Sequence, residues 1–273
     1  MVATPIGNLA DCSPRAVDIL RDVDLIAAED TRHTGGLLAR LGVKKRLISL
    51  HSHNEATQTQ RLMSELEKGL SIALVSDAGT PLLSDPGFPL VVAAGSATIR
   101  VVPIPGPSAV VTALSAAGLP CDRFVFEGFL PARSGARQKY LKTLADEPRT
   151  LVFYESPHRI EASVEDIGKI FGPERRTVIA RELTKTFEQF YRGSLAEIQA
   201  WLEADPNHRK GEFVLVVAGC EAATHMEYPE GPLLEVLLDY MSVKQASQAA
   251  ARITGKPKKD LYKQAVALRQ SML

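Results

Sequence analysis

The chain has 273 residues, enough for two domains, and at 45% hydrophobic and 23% charged it can bury cores and is neither disordered nor collagen-like. Its 32 Lys+Arg balance 32 Asp+Glu, which excludes a chain-wide cationic surface for nucleic acid but not a local patch. Cys12, Cys121 and Cys220 are far apart, which excludes a disulfide scaffold and a cysteine-rich zinc site and fits a reducing cytoplasm; no membrane span or signal peptide is visible.

In chain order, the first third repeats a short apolar run, a polar or Gly/Pro turn and a helical stretch. The runs Met1–Thr4, Asp24–Ala28, Arg46–Leu50, Ile72–Val75 and Ile99–Val102 read as strands. Between and after them, helices are expected near Ser13–Arg21, Thr34–Leu41, Ala56–Lys68, Pro86–Ala94 and Ser108–Ala117. Ser13-Pro14 and Asp85-Pro86 each pair a capping side chain with a proline at a helix start. This alternation implies β-α-β units and a mostly parallel sheet, with the turns after the strands gathered at one ligand-binding edge.

Beyond Gly118-Leu119-Pro120 the runs Arg123–Glu127, Thr150–Glu155, Thr177–Arg181, Phe187–Arg192 and Glu212–Ala218 read as strands of a mixed or antiparallel sheet. Two helices are expected among them, one started by Ser156-Pro157 and one by the capping box Ser194-x-x-Glu197. A polar stretch after Gly219, with Pro229 and Pro232, reads as a linker. The segment 233–273 then patterns as a helical, helix-turn-helix-like domain interrupted at Gly255-Lys256-Pro257. The domains are thus 1–119, 120–222 and 233–273. From Met241 to Leu273 seven basic residues face one acid, a net of +6 balanced by −6 before it.

The chemistry sits in the turns. Ser76-Asp77-Ala78-Gly79-Thr80-Pro81-Leu82-Leu83-Ser84-Asp85-Pro86-Gly87 is a stiff loop after a buried strand. Its glycines permit close backbone approach, and Asp77 can accept hydrogen bonds from a ligand. Pro105-Gly106-Pro107-Ser108 makes a second wall. G-x-G-x-x-G and G-x-x-x-x-G-K-[ST] are both absent. Glu29-Asp30-Thr31-Arg32-His33 is open between substrate binding and a capped helix start. His51, His53 and Glu55 lack a further ligand elsewhere, so no metal is expected. Glu155-Ser156-Pro157-His158-Arg159 and Arg181-Glu182-Leu183-Thr184-Lys185 are charged clusters after strands. Lys256, Lys258, Lys259 and Lys263 around Tyr262 suit RNA phosphate contact with stacking.

Six segments in order, Thr4–Leu9, Ala28–Thr34, Val75–Pro81, Pro105–Ser108, Phe153–Arg159 and Ala180–Lys185, resemble the ribosomal RNA small subunit methyltransferase I family, a branch of the tetrapyrrole methylase superfamily. The resemblance runs to the end of the chain. It implies a tetrapyrrole-methylase-like α/β fold: two α/β domains with the cofactor cleft between them, plus the small helical domain, usually as a homodimer. It implies S-adenosyl-L-methionine as cofactor and 2′-O-methylation of a cytidine ribose in the decoding centre of 16S rRNA. Alternatives are a small-molecule tetrapyrrole methylase and a non-catalytic RNA-binding assembly factor. Cofactor contacts are expected at Pro5, Gly7, Leu9, Asp77, Gly79, Thr80, Pro81, Gly106, Ser108, Ala109, Tyr154 and Leu183. Asp30, Glu155 and Glu182 are the candidate proton acceptors, and Arg32, Arg159, Arg181 and Lys185 are expected on RNA phosphates. Met1 directly precedes Val2-Ala3-Thr4-Pro5, so the first strand is expected to be shorter than the family's.

Overall fold

The computed structural model describes residues 1–220 and 230–271. They form two compact units, Met1–Gly219 and Cys220–Leu273.

The first unit holds two sheets. α1 (Pro14–Asp22) starts as expected, with Ser13 Oγ accepting from Ala16 N at 3.1 Å. It leads into β1 (Leu25–Ala28), buried at every position. α2 (Thr31–Arg40), β2 (Arg46–Ser49), α3 (Glu55–Glu67) and β3 (Ile72–Val75) follow. β1 pairs in parallel with β2 and β3 on either side, in the order β2-β1-β3. A strand buried this fully is what a parallel sheet covered by helices requires.

Two expected strands are not strands. Met1–Thr4 and the stretch after Ile99 make only the isolated bridges Val2 with Ile104 and Thr4 with Gly79. Proline stops either segment from extending: Pro5 follows one, and Pro103, Pro105 and Pro107 follow the other, each lacking a ladder donor. The N-terminal segment still sits between its neighbours, with Val2 N donating to Leu74 O at 2.9 Å and Ile104 N to Met1 O at 2.8 Å. Asp85-Pro86 does not start the next helix either. α4 (Phe88–Ser96) begins after Gly87, whose φ of 123° breaks the chain direction, and Asp85 makes no cap.

α5 (Ala109–Ala117) ends at Gly118 in the left-handed conformation. The second sheet follows: β4 (Phe124–Phe129), α6 (Ser134–Leu144), β5 (Thr150–Glu155), α7 (Ile160–Phe171), β6 (Arg176–Arg181), β7 (Gln189–Ser194), α8 (Leu195–Ala204) and β8 (Phe213–Val217). Its order is β4-β5-β8-β6-β7, parallel only between β4 and β5. The capping box is present at Ser194 and Glu197. Ser156-Pro157 forms a turn and α7 starts only at Ile160. α6 has no counterpart among the helices expected from the sequence.

One face of this sheet packs under α6, α7 and α8 around Leu141, Phe153, Ile160, Ile167 and Leu215. Against the other lies α5, through Val110, Ala113 and Leu114 on Val152, Val178 and Val216. α6 is anchored by a buried ion pair, Arg137 Nη2 to Asp166 Oδ2 at 2.6 Å, with Ser134 and Gln138 donating to the same carboxylate.

In the second unit α9 (Glu230–Tyr240), α10 (Val243–Thr254) and α11 (Lys258–Ser271) enclose Leu234, Leu238, Ala246, Ala250, Leu261 and Ala265. Gly255, at φ 70°, ends α10 where the sequence predicts a break, and Ser242 begins it with a second capping box. Most of the expected linker falls outside the described residues, and Pro232 lies in the first turn of α9.

Removing Arg137 leaves the Asp166 charge buried without its cation. Arg137→Ala is expected to cost about 3–5 kcal/mol in urea unfolding of the first unit.

Candidate active site

The loop after β3 is pinned to two other segments. Thr4 N donates to Gly79 O at 2.9 Å and Gly79 N returns to Thr4 O at 3.1 Å. Thr80 Oγ1 donates to Pro107 O at 3.0 Å. Gly79 adopts φ +82°, and a Cβ there would stand 3.2 Å from Ile6 Cγ2. At the far end Gly87 N donates to Glu55 Oε1 at 2.6 Å. Between these anchors Leu82 and Ser84 hold positive φ, as do Glu182 and Thr184 in the loop after β6. Non-glycine residues in that region are strained and persist where their surroundings enforce it, commonly at functional sites.

These two loops, the head of α5 and the end of β5 enclose a cavity of about 320 Å³. Among the expected cofactor residues, Asp77, Gly79, Thr80, Ser108, Ala109, Tyr154 and Leu183 line it. Pro5, Gly7, Leu9, Pro81 and Gly106 are outside the lining. Gly7 instead lets its loop approach the 183–185 backbone, since a Cβ would lie 2.8 Å from Leu183 O. Gly106 lies against Ala3, 2.9 Å from a Cβ to Ala3 Cβ, so a larger residue there disturbs the first unit's packing. Ser108 Oγ is buried without a hydrogen-bond partner and belongs to a cavity-lining residue.

The site is acidic. Asp77 Oδ1 accepts from Asp30 N at 3.0 Å, tying the ends of β1 and β3 together. Asp85 lines the cavity; burial, reinforced by the charge of Asp77, pushes it up to about 6 against the pull of a hydrogen bond from Ser76. Burial and then the charges of Asp85, Asp77 and Asp30 raise Glu29 as well. Tyr154 is pushed to about 12, first by burial and then by Asp85. The sequence reads Asp85 only as a helix cap; the signal for its other role is the Gly87 that separates it from α4.

The three carboxylates expected as proton acceptors have other partners. Asp30 caps α2 through Arg32 N at 2.8 Å, and the side-chain hydrogen bonds of Arg32, foremost, hold it near 2. Glu155 is buried; Oε1 accepts from Ser156 N and Arg159 Nε, both at 2.8 Å, and Oε2 from Ser163 Oγ at 2.6 Å. Burial pushes Glu182 up, but Lys185 and the Glu212 N–H, each at 2.9 Å, leave it below its usual range. Glu155 lines the cavity, and all three carboxylates, engaged by these partners, hold the loops that frame it.

The expected phosphate ligands divide likewise. Arg159 pairs with Glu155, Lys185 bridges Glu182 and Glu212, and Arg181 Nε donates to Lys210 O at 2.6 Å. Arg32 pairs with Asp30 yet its side chain is 91% exposed. In the second unit Lys256 pairs with Glu230, while Lys258, Lys259, Tyr262 and Lys263 are exposed on α11, whose Leu261 and Ala265 are buried. Among the described residues no group of three or more His, Cys, Asp or Glu is placed to hold a metal ion, and no helix is long and apolar enough to cross a membrane.

Residues 1–199 match the family of Tetrapyrrole (Corrin/Porphyrin) Methylases, and residues 232–269 match the RsmI C-terminal HTH domain. Ribosomal RNA small subunit methyltransferase I of Xylella fastidiosa is 54% identical over 96% of this chain and 96% of its own length. The protein of the same name from Escherichia coli O157:H7 is 53% identical over 97% of this chain and 93% of its own. The chain belongs to the ribosomal RNA small subunit methyltransferase I family. Among solved structures, uroporphyrin-III-C-methyltransferase from Thermus thermophilus superposes with a TM-score of 0.54 at 22% identity, over 80% of this chain and 92% of that one. Diphthine synthase does so at 0.60 and 16%, over 80% and 88%. At such identities these two share the fold with this family member, whose two-sheet architecture is that of the tetrapyrrole methylases.

A carboxyl group raised in the folded state favours folding while protonated, and that contribution is lost as pH rises through its folded value. Asp85→Asn is therefore expected to raise the melting temperature at pH 7–8, with the gain fading as pH falls from about 6 towards 4. Melts across that range read it directly.

Proposed function

We propose that this protein transfers a methyl group from S-adenosyl-L-methionine to the ribose 2′-hydroxyl of a cytidine in 16S rRNA. The reading rests on the cavity with its half-buried, raised carboxyl Asp85, in a chain more than half identical to named small-subunit RNA methyltransferases. When bound, S-adenosylmethionine supplies an electrophilic methyl on a sulfonium. The residues present fit such a group. The orphaned Ser108 hydroxyl meets a polar edge, the Gly79–Thr80 backbone allows close approach, and Asp77 and Asp85 favour a cation.

A ribose hydroxyl is a poor nucleophile until its proton is drawn off. Asp85 is the carboxylate suited to this. It lines the cavity and its acidity lies near working pH, whereas Asp30 near 2 is a weak base. Tyr154, neutral at any physiological pH, orients rather than accepts. The exposed lysines of α11 and Arg32 meet phosphates.

The test is transfer to unmethylated small-subunit RNA, with the product located by mass spectrometry. Label on ribose is expected; label on a base, or on porphyrin precursors alone, overturns the reading. Asp85→Asn is expected to lower kcat by about 10²- to 10⁴-fold and to weaken cofactor affinity by much less, since Asp77 keeps its charge. Wild-type activity is expected to rise through pH 6 as Asp85 ionises, and the variant to lack that limb.

A separate outcome concerns the second unit. Replacing Lys258, Lys259 and Lys263 by Glu is expected to weaken RNA binding and flatten its log–log salt slope by about 0.7–0.9 for each phosphate no longer neutralised. Filter binding at graded salt measures it, and cofactor affinity is expected to hold.

A further inference from the structure

β4 opposes β5 with a register shift between Phe126 and Gly128, where Gly128 takes φ +64°. Alternation along a regular strand would send Phe126 and Phe129, three residues apart, to opposite faces. The bulge brings both rings to the same side, where each packs edge-on against Tyr154, with centroids at 4.8 Å and 5.6 Å. Bulges beside active sites commonly re-aim a side chain in this way. Gly128 is also required sterically, because a Cβ there would lie 2.9 Å from Ser84 Oγ of the cavity loop.

The ring so aimed lines the cavity and is nevertheless 55% exposed. Ile6, Leu183 and Val214 of the same cavity are buried, so they form its floor while Phe129, with Leu83, forms its rim. A buried floor is the place for a small ligand taken up first. An exposed aromatic face at the rim is left for a group that arrives afterwards on a larger molecule. That group is not a phosphate, because the carboxylates Asp77 and Asp85 line the same cavity as Phe129. An uncharged, planar, polarizable group fits it.

We infer that Phe129 is the stacking platform for the nucleobase of the acceptor nucleotide, drawn out of its RNA stack so that its ribose faces the cavity. This rests on the function proposed above. Base–aromatic stacking tolerates any base, so Phe129 would hold the nucleotide in place without choosing its identity.

The full-length protein with Phe129→Ala, Phe129→Leu and Phe129→Trp tests it, with melts to check folding. RNA affinity and KM are measured on unmethylated small-subunit RNA, and S-adenosylmethionine affinity by calorimetry. Ala and Leu are expected to weaken RNA binding by roughly 5- to 150-fold, leaving cofactor affinity within twofold, and Trp to retain wild-type binding. Leu binding RNA as Phe does overturns stacking, since Leu is apolar without a π face. A parallel loss of cofactor affinity assigns the ring to the cofactor's adenine and overturns the inference, as does a change in oligomeric mass with RNA affinity intact. If the wild-type protein transfers no methyl to RNA, the proposed function itself falls and this inference with it. If the wild type is active and Phe129→Ala matches it in RNA affinity and KM, only the platform falls.

Discussion

The cavity depends on a two-bond antiparallel clasp between Thr4 and Gly79. Neither segment belongs to a regular strand at that point, so no ladder enforces their meeting. The clasp holds because Gly79 accepts a left-handed backbone and because Ser76 Oγ bonds the carbonyls of Ala78 and Gly79, curling the loop back. Once the loop is closed there, Thr80 reaches Pro107 and Glu55 reaches Gly87. The strained residues between those anchors are thereby fixed, and with them Asp85.

The electrostatic design is one of separation. A chain of zero formal charge concentrates carboxylates at the ends of β1 and β3 and lysines on α11. Near the cavity, cations are paired locally: Arg159 with Glu155, Lys185 with Glu182 and Glu212. The cavity stays acidic and can raise a carboxyl, while attraction for a polyanion is placed elsewhere on the chain.

How much of this is legible in the sequence follows from what each residue's partner is. β1, β3, β5 and β8 are buried apolar runs and read directly. Ser13 and Ser194 are local caps and read directly too. α6 escapes because its buried face includes Arg137, a charge whose partner Asp166 lies 29 residues on, so the apolar period is broken. The first and fifth runs read as strands on apolar content although Pro5 and Pro103, directly after them, keep a ladder from extending. Glu155 reads as a strand-end carboxylate at the cavity, which it lines; that Arg159 and Ser163 also bond it is a matter of distances. Phe129 is hidden because a bulge reverses the facing that alternation predicts.

The placement of α5 has a mechanical consequence. Its head, Ser108–Ala109, lines the cavity beside the loop after β3, but its body is bedded on β6 and β8. One wall of the cavity is thus carried by the second sheet while the facing wall is carried by the first. The Thr80–Pro107 hydrogen bond crosses the seam between them. Sliding one sheet past the other would have to break that bond and draw Ile6 out of its packing against α5 and the second sheet, so both ties resist any change in the cavity's width.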